Sequence, residues 1–518
     1  MQLIRDISET SSFWGATWVF GCLPDVHMIC DAPIGCFAML GLGVSDYTDA
    51  IPHIHNLTPT VIREEDVING TDKALKRTVE NLNALGYLER KQLIVLSSAE
   101  SEMIGADHGN YLSILHPGAK FFWSQSLEQD EWLGRDRALL FAWNEFGKDQ
   151  ASTAAPAKNR INIIGPTLGC FNGPSDLHEI KRLAKGIGAE INLVYPFEAT
   201  LESTPRLADA AVNIVMYDEF GEALAKELGK PYLFAPFGIR GTTEFLHQLG
   251  ELIGTPKEQV EAFIAEEKRT TLQPMWDLWL GPQSDWFSTV DCCVVAGRSY
   301  VRGLHAFLGE ELGMKITFSS GRPRREDEPD NIEIRKKLHE RAPAFVFGSV
   351  NERIYLAEAS ARSHYIPLSF PGPIVRRTVG TPVMGYSGTI YIVQEIVNRL
   401  YDMVINFLPV ETIPQAGGPP MGMRPPTGAP AGKPPVDGAG PPTDGKGPPQ
   451  GAQQGTMVWT SEATERLNSA TEQIPYLSRV SATRLMRQNA ERAAQARGMS
   501  EVTIDVLEET LAQGRSNG

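Results

Sequence analysis

The chain has 518 residues, 42 % hydrophobic and 21 % charged, with a formal net charge of −15. This is ordinary globular composition with material for several cores, so a wholly disordered or fibrous class is excluded. The acidic balance makes a poor nonspecific nucleic-acid binder, because such binding needs Lys and Arg to neutralise phosphates.

The elements alternate along the chain. "DVHMICD" (25–31) reads as a strand and runs into a turn shaped by Pro33 and Gly35, which carries Cys36. A helix is expected over 68–86, with Leu75, Val79 and Leu82 on one face and Gly86 at its end. Further strands are expected at 91–98, 159–166, 189–196, 210–218, 291–297, 314–320 and 342–349. Helices are expected at 175–186 and 299–312. Strands alternating with helices imply right-handed βαβ units and parallel sheets. The expected fold class is therefore α/β: three doubly wound Rossmann-like domains at 1–157, 158–285 and 286–410.

Residues 415–455 hold eleven Pro and eleven Gly, too many for a core or a regular ladder. A disordered linker is expected across 411–456. A small helical domain (457–518) follows, with helices from Thr460 or Ser461 towards Pro475, from Ser481 to Gly498, and over about 502–513.

No run of about 18 apolar residues predicts a transmembrane helix, and the amino terminus lacks a signal-peptide core. Six sparse cysteines (22, 30, 36, 170, 292, 293) without a CxxC fit a reducing, cytoplasmic setting. "GPPTDGK" (440–446) imitates a P-loop, but it has Gly447 where Ser or Thr should hold magnesium, and no strand or helix flanks it. "GLGVSD" (41–46) is no dinucleotide fingerprint, since it ends in Asp46. Cys292 and Cys293 are strand neighbours that point to opposite faces and cannot converge on one metal. His53 and His55 have no third ligand nearby and read as a turn or rim. GxSxG and HExxH are absent.

Ligands of open parallel sheets gather beyond the carboxyl ends of strands. Three loops sit there: "APIGC", "AESEMIGADH" (99–108) and "PTLGCFNGP" (166–174). The first two belong to one domain and are expected to lie together. On these grounds Cys36 is a buried apolar residue, a nucleophile, or one ligand of a cluster completed by another chain. Cys170 is a weaker candidate.

At this point the residues resemble the nitrogenase component-1-like family. "EMIGAD" (102–107) looks like its E-x-I-G-x-D loop. "RINIIGPTLGCFNGPSDLHEIKRLAKGIGAEINLVYP" looks like its middle-domain opening, and "IPLSFPGPIVRRTVGTPVMGYSGTIYIVQEIVN" like the end of its third domain. The segment from Trp459 onward is similar to the helical ending of the second subunits of its tetrapyrrole-reducing branch. Within that branch the protochlorophyllide enzymes carry a cluster-ligating Asp where this sequence has Cys36, as the Z-type subunits of chlorophyllide a oxidoreductases do. The long Pro/Gly linker departs from that type.

The resemblance implies a Y2Z2 heterotetramer that reduces the C7=C8 bond of chlorophyllide a; the alternatives are the B-type subunit of a dark-operative protochlorophyllide reductase and a noncatalytic nitrogenase-like scaffold for a tetrapyrrole or cluster. It implies a [4Fe–4S] cluster shared with the Y subunit, with three Cys from Y and Cys36 from this chain. ATP would be hydrolysed by the partner X subunit, a homodimeric electron donor. Asp285 lies one residue from the position of a proton-donating Asp in the sister enzyme. Arg479, Arg484 and Arg487 read as a solvated helix face or, alternatively, as facing a propionate or a partner subunit, and the aromatic runs at 120–132 and 275–287 as core or pigment lining.

Overall fold

Six consecutive buried residues, "VHMICD", form strand β1 (Val26–Asp31). Such a run has no solvent face, which is the mark of a strand covered on both sides in a parallel sheet. Val26, Met28 and Cys30 enter the large core, while Ile29 points the other way. There it meets Leu93 and Val95 of the sheet and the helix Asp72–Ala84 through Leu75, Val79 and Leu82. Gly86 (φ +73°) follows that helix. These three residues are the face the sequence predicts.

The computed structural model describes residues 10–38, 56–105, 108–279, 282–369, 380–405, 458–472, 486–487, 489–499 and 501–516. The linker at 411–456, both imitation nucleotide motifs, His53, His55, Arg479 and Arg484 lie outside the described residues, as does the side chain of Asp285. The chain divides into two compact units, Met1–Met423 and Arg424–Gly518.

The first unit contains three four-stranded sheets, all parallel. The first has β2 (Leu57–Pro59), β1, β3 (Gln92–Ser97) and β4 (Lys120–Phe122) in that order. The second has β6 (Glu190–Tyr195), β5 (Arg160–Ile164), β7 (Val212–Val215) and β8 (Tyr232–Phe234). The third has β10 (Lys315–Arg322), β9 (Asp291–Gly297), β11 (Phe345–Gly348) and β12 (His364–Pro367). Each sheet thus repeats one order, second–first–third–fourth. Cys292 and Cys293 enter different cores on the two faces of β9, as strand geometry requires.

Four short strands, β2, β4, β8 and β12, are additions to the sequence reading, as is the helix Ser12–Phe20. That helix packs on Glu131–Ala142 at a separation only glycine permits. A Cβ on Gly15 would stand 1.9 Å from the Glu131 carbonyl oxygen, and one on Gly134 2.3 Å from that of Ser12. The expected helix 299–312 is an α-helix only over Arg298–Leu304 and widens to π-turns over His305–Glu311.

Polar bolts hold the second sheet to the third. The Arg302 guanidinium grips both Asp218 oxygens at 2.6 and 2.9 Å. Tyr300 donates to Asp176 and to the Phe171 carbonyl. Asp176 also accepts from the amides of Val383 (2.6 Å) and Met384 (3.0 Å), which precede the helix Gly385–Ile405.

In the second unit, β13 (Val458–Trp459) pairs in parallel with β14 (Glu501–Val502). The helices Ser461–Glu472 and Ile504–Ser516 pack through Leu467, Val506 and Leu507. Arg487, read as part of a solvated face, has a side chain 38 % exposed and lies 5.1 Å over the Trp459 ring.

Candidate metal centre

In the first sheet the strand order reverses direction between β1 and β3, so the loops after these two strands flank a crevice. After β1 the chain passes Pro33 and turns helical over residues 34–38, presenting Cys36 half-buried. After β3 the helix Ala99–Ile104 starts at Ser98, whose hydroxyl accepts from the Ser101 amide at 3.3 Å. Its first turn carries Glu100. The Cys36 thiol donates to Glu100 Oε1 at 3.1 Å. The two loops expected to lie together do so through this contact.

The electrostatics of the pair follow from burial and proximity. Burial, and then the Glu100 carboxylate, push the Cys36 thiol up to about 11. Burial also pushes the Glu100 carboxyl up, but hydrogen bonds from Cys36, its own N–H and Ser98 outweigh it and leave it below its ordinary value. Glu102, two residues on, accepts the Ser97 hydroxyl at 2.6 Å.

Beneath this rim lies a buried network that the sequence reading missed. Asp31 ends β1 and is fully buried. It accepts from Thr60 (2.7 Å) and Thr71 (2.9 Å), and pairs with His108 Nε2 at 2.7 Å. The other ring nitrogen faces Asp72 Oδ1 at 3.4 Å. Asp31 opens the motif that carries Cys36, and His108 closes the motif that carries Glu100. A carboxylate ending an otherwise apolar strand was the available signal.

Cys170 is not brought to this crevice. It follows β5, buried, with Thr167 Oγ1 at 3.4 Å and Arg135 Nη1 at 3.5 Å. Arg135 is itself fully buried among the rings of Trp18 (4.8 Å), Trp132 (5.2 Å) and Phe220 (5.0 Å). Gly169 (φ +72°) lies flat on Trp18, and a Cβ there would fall 1.0 Å from the indole. Cys170, Trp132, Tyr217, Glu219 and Tyr300 line a cavity of about 20 Å³ where the sheets meet, room for one water. Burial pushes the Glu219 carboxyl up to about 7, although it accepts from the Ser299 hydroxyl and amide.

Among the described residues the aromatic runs divide between core and surface. Phe122 and Phe287 are core, whereas Trp123 is 56 % exposed.

Among the described residues no three His, Cys, Asp or Glu side chains converge to hold a metal ion. Cys36 therefore offers one thiol, free and at a rim, which suits a centre whose other ligands come from elsewhere. The remaining five cysteines are buried, and burial drives the thiols of Cys22, Cys30, Cys292 and Cys293 up. Thiolates are the ligands iron–sulfur clusters use, and Cys36, raised like the others but only half-buried at the crevice, is the thiol that would serve as one on losing its proton.

Comparison with known proteins agrees with this fold. Residues 459–510 match the family described as proto-chlorophyllide reductase 57 kD subunit. The B subunit of the light-independent protochlorophyllide reductase of Jannaschia sp. (strain CCS1) is 25 % identical, with 96 % of each chain covered. That of Heliobacterium modesticaldum (strain ATCC 51547 / Ice1) is 26 % identical, over 100 % of this chain and 99 % of the relative. A solved structure of nitrogenase Cp1 at pH 6.5 superposes with a TM-score of 0.64 at 18 % identity, covering 80 % of this chain and 96 % of that one. Residues 11–401 match nitrogenase component 1 type oxidoreductase, and the chain belongs to that family.

Proposed function

We propose that this chain is the Z-type subunit of a chlorophyllide a oxidoreductase, which reduces the C7=C8 double bond of ring B. Electrons come from a separate ATP-dependent iron–sulfur reductase, the X-type partner. The observation that carries the reading is Cys36, a single free thiol at the crevice between β1 and β3. A [4Fe–4S] cluster held by three Cys of the Y-type partner and by Cys36 supplies one-electron transfer when bound.

This chain's part is to present and shelter that ligand. The Pro33 turn and the contact with Glu100 fix the thiol at the rim. The exposed apolar side chains Ile34, Val67, Ile68 and Met103 all follow the carboxyl ends of β1, β2 and β3. A partner that covers them removes water from the same edge.

A second reading is supported by the names of the relatives above: the B-type chain of a light-independent protochlorophyllide reductase. The residue that separates the two is Cys36, where the resemblance places Asp in protochlorophyllide enzymes. Anaerobic assay with the X- and Y-type partners, ATP and dithionite tests both readings. Loss of chlorophyllide a absorbance with growth of a bacteriochlorin band is the expected result. Turnover of protochlorophyllide instead selects the second reading, and turnover of neither rejects both. Replacing Cys36 by Ser is expected to lower cluster iron and alter its spectrum; an unchanged iron content and spectrum refutes the ligand assignment.

A further inference from the structure

Arg322 is a cation buried without a counter-ion. It ends β10 and is only 7 % exposed. Its Nη1 donates to the Ser320 hydroxyl at 3.0 Å and to the Gly321 carbonyl at 3.1 Å, and its Nη2 donates one bond to Asn331 Oδ1. Two of its five N–H donors, that on Nε and the second on Nη2, have no bond among the described residues. It joins no ion pair there either. Glu352 feels its charge, but burial pushes that carboxyl up, and its Oε2 is taken by the Ser349 amide and hydroxyl. A guanidinium held in this way is costly until an anion meets it.

Room for one lies beside it. Arg322 lines a cavity of about 480 Å³ between the end of β10 and the chain that follows β4, a size typical of small-molecule sites. Arg324 and Asn331 share its third-sheet side. Asn331 opens the helix Asn331–Arg341, whose amino terminus adds positive potential. The first-sheet side brings two apolar side chains, Trp132 and Leu127, the latter 56 % exposed. Three acids also line the cavity. Glu128 and Asp130 are exposed, and the Asp130 carboxylate is held by the Leu133 amide at 3.0 Å. Glu131 is buried and accepts from Thr10 at 2.6 Å. Water screens the two exposed acids more than it screens the buried guanidinium.

We propose that this cavity binds a flat apolar carboxylate, with its anionic end on the free donors of Arg322 and its body against Trp132 and Leu127. A guanidinium fork matches the two oxygens of a carboxylate, and an indole ring suits a flat body. Neither Cys36 nor Glu100 lines the cavity, so the proposal is independent of the cluster reading.

The test titrates the full chain with 2-naphthoate and with its uncharged counterpart 2-naphthamide, read by ligand fluorescence. Naphthoate is expected to bind at least about tenfold more tightly than naphthamide, and Arg322→Gln to remove that advantage. Absence of naphthoate binding, equal affinity for the two probes, or an advantage that survives in Arg322→Gln overturns the proposal. If Arg322→Gln does not fold, as judged by its melting curve, Leu127→Glu decides, since that position is exposed. An added carboxylate about 7 Å away is expected to weaken naphthoate roughly threefold more than naphthamide; an unchanged ratio of the two affinities overturns the proposal. Displacement of naphthoate by chlorophyllide a, itself a carboxylate on a flat ring, identifies the pigment as the source of this chemistry, and its failure to displace identifies a smaller acid.

Discussion

Glu219 shows what a buried charge does to a single position. It lies under the junction of the second and third sheets, and burial raises its carboxyl from 4.5 to about 7. A raised acid favours the folded state only while it is protonated. That contribution is full below about pH 4.5, fades as pH rises through 7, and is absent at pH 8. The difference is of the order of 3 kcal/mol. Glu219→Gln keeps the shape without the charge. It is expected to flatten the fall in stability between pH 5 and 8 and to raise the melting temperature at pH 8; denaturant melts across that range check it. In the Asp31–His108 pair the test is removal of a partner. His108→Leu strips a fully buried carboxylate of a principal partner and is expected to cost about 3 kcal/mol or more, read as a lower urea midpoint. At position 36, Cys36→Asp is expected to retain more cluster iron than Cys36→Ala, because a carboxylate still ligates iron and a methyl does not; iron analysis of the two complexes measures this.

At the scale of elements, the close contact of Ser12–Phe20 with Glu131–Ala142 is the most exacting. Both helices approach backbone to backbone at Gly15 and Gly134, so a methyl at either has no flexible side chain to displace. Gly15→Ala or Gly134→Ala is expected to cost about 1–3 kcal/mol by forcing the helices apart, and thermal melting measures it. The same scale explains what the sequence made legible. Central strands such as β1, β5 and β9 are buried on both faces and read as apolar runs. The strands β2, β4, β8 and β12 have three or four residues, too few to display a period, and β2 ends in Pro59. The helix Ser12–Phe20 is buried on nearly every side, so its apolar positions form no stripe. The site divides in the same way. Turn chemistry and strand order left Cys36 as an apolar residue, a nucleophile or a cluster ligand, and the resemblance is what made it the proposed ligand. Glu100 meets Cys36 and His108 meets Asp31 only after two parallel strands are paired, and spacing along the chain carries no trace of that pairing.

For the whole molecule, one topology is used three times, and the carboxyl edges of the sheets meet different fates. In the first sheet the edge carries Cys36, half-buried; in the second and third, side chains fasten the edges together, with Arg302, Tyr300 and Asp176 as fasteners. Residues 411–456 separate the bulk of this unit from the small carboxyl-terminal one, and their composition predicts an unstructured tether. Within the linker, Arg424 and Lys433 precede proline, while Lys446 precedes glycine. Limited trypsin digestion is expected to cut first after Lys446; mass spectrometry of the early fragments checks it, and initial cuts inside the sheets would contradict the division.

Arg135 gives this arrangement a mechanical meaning. It rises from the helix Glu131–Ala142, reaches the loop after β5, and donates there to the Leu168 carbonyl at 2.8 Å while three aromatic rings enclose it. Sliding the first sheet past the second would drag a guanidinium through an apolar sleeve. The junction therefore acts as a rigid backing, and force applied by a docking partner is borne without relative displacement of the sheets. The guanidinium in its sleeve is a keyed joint between the two sheets, set behind the edge that carries Cys36.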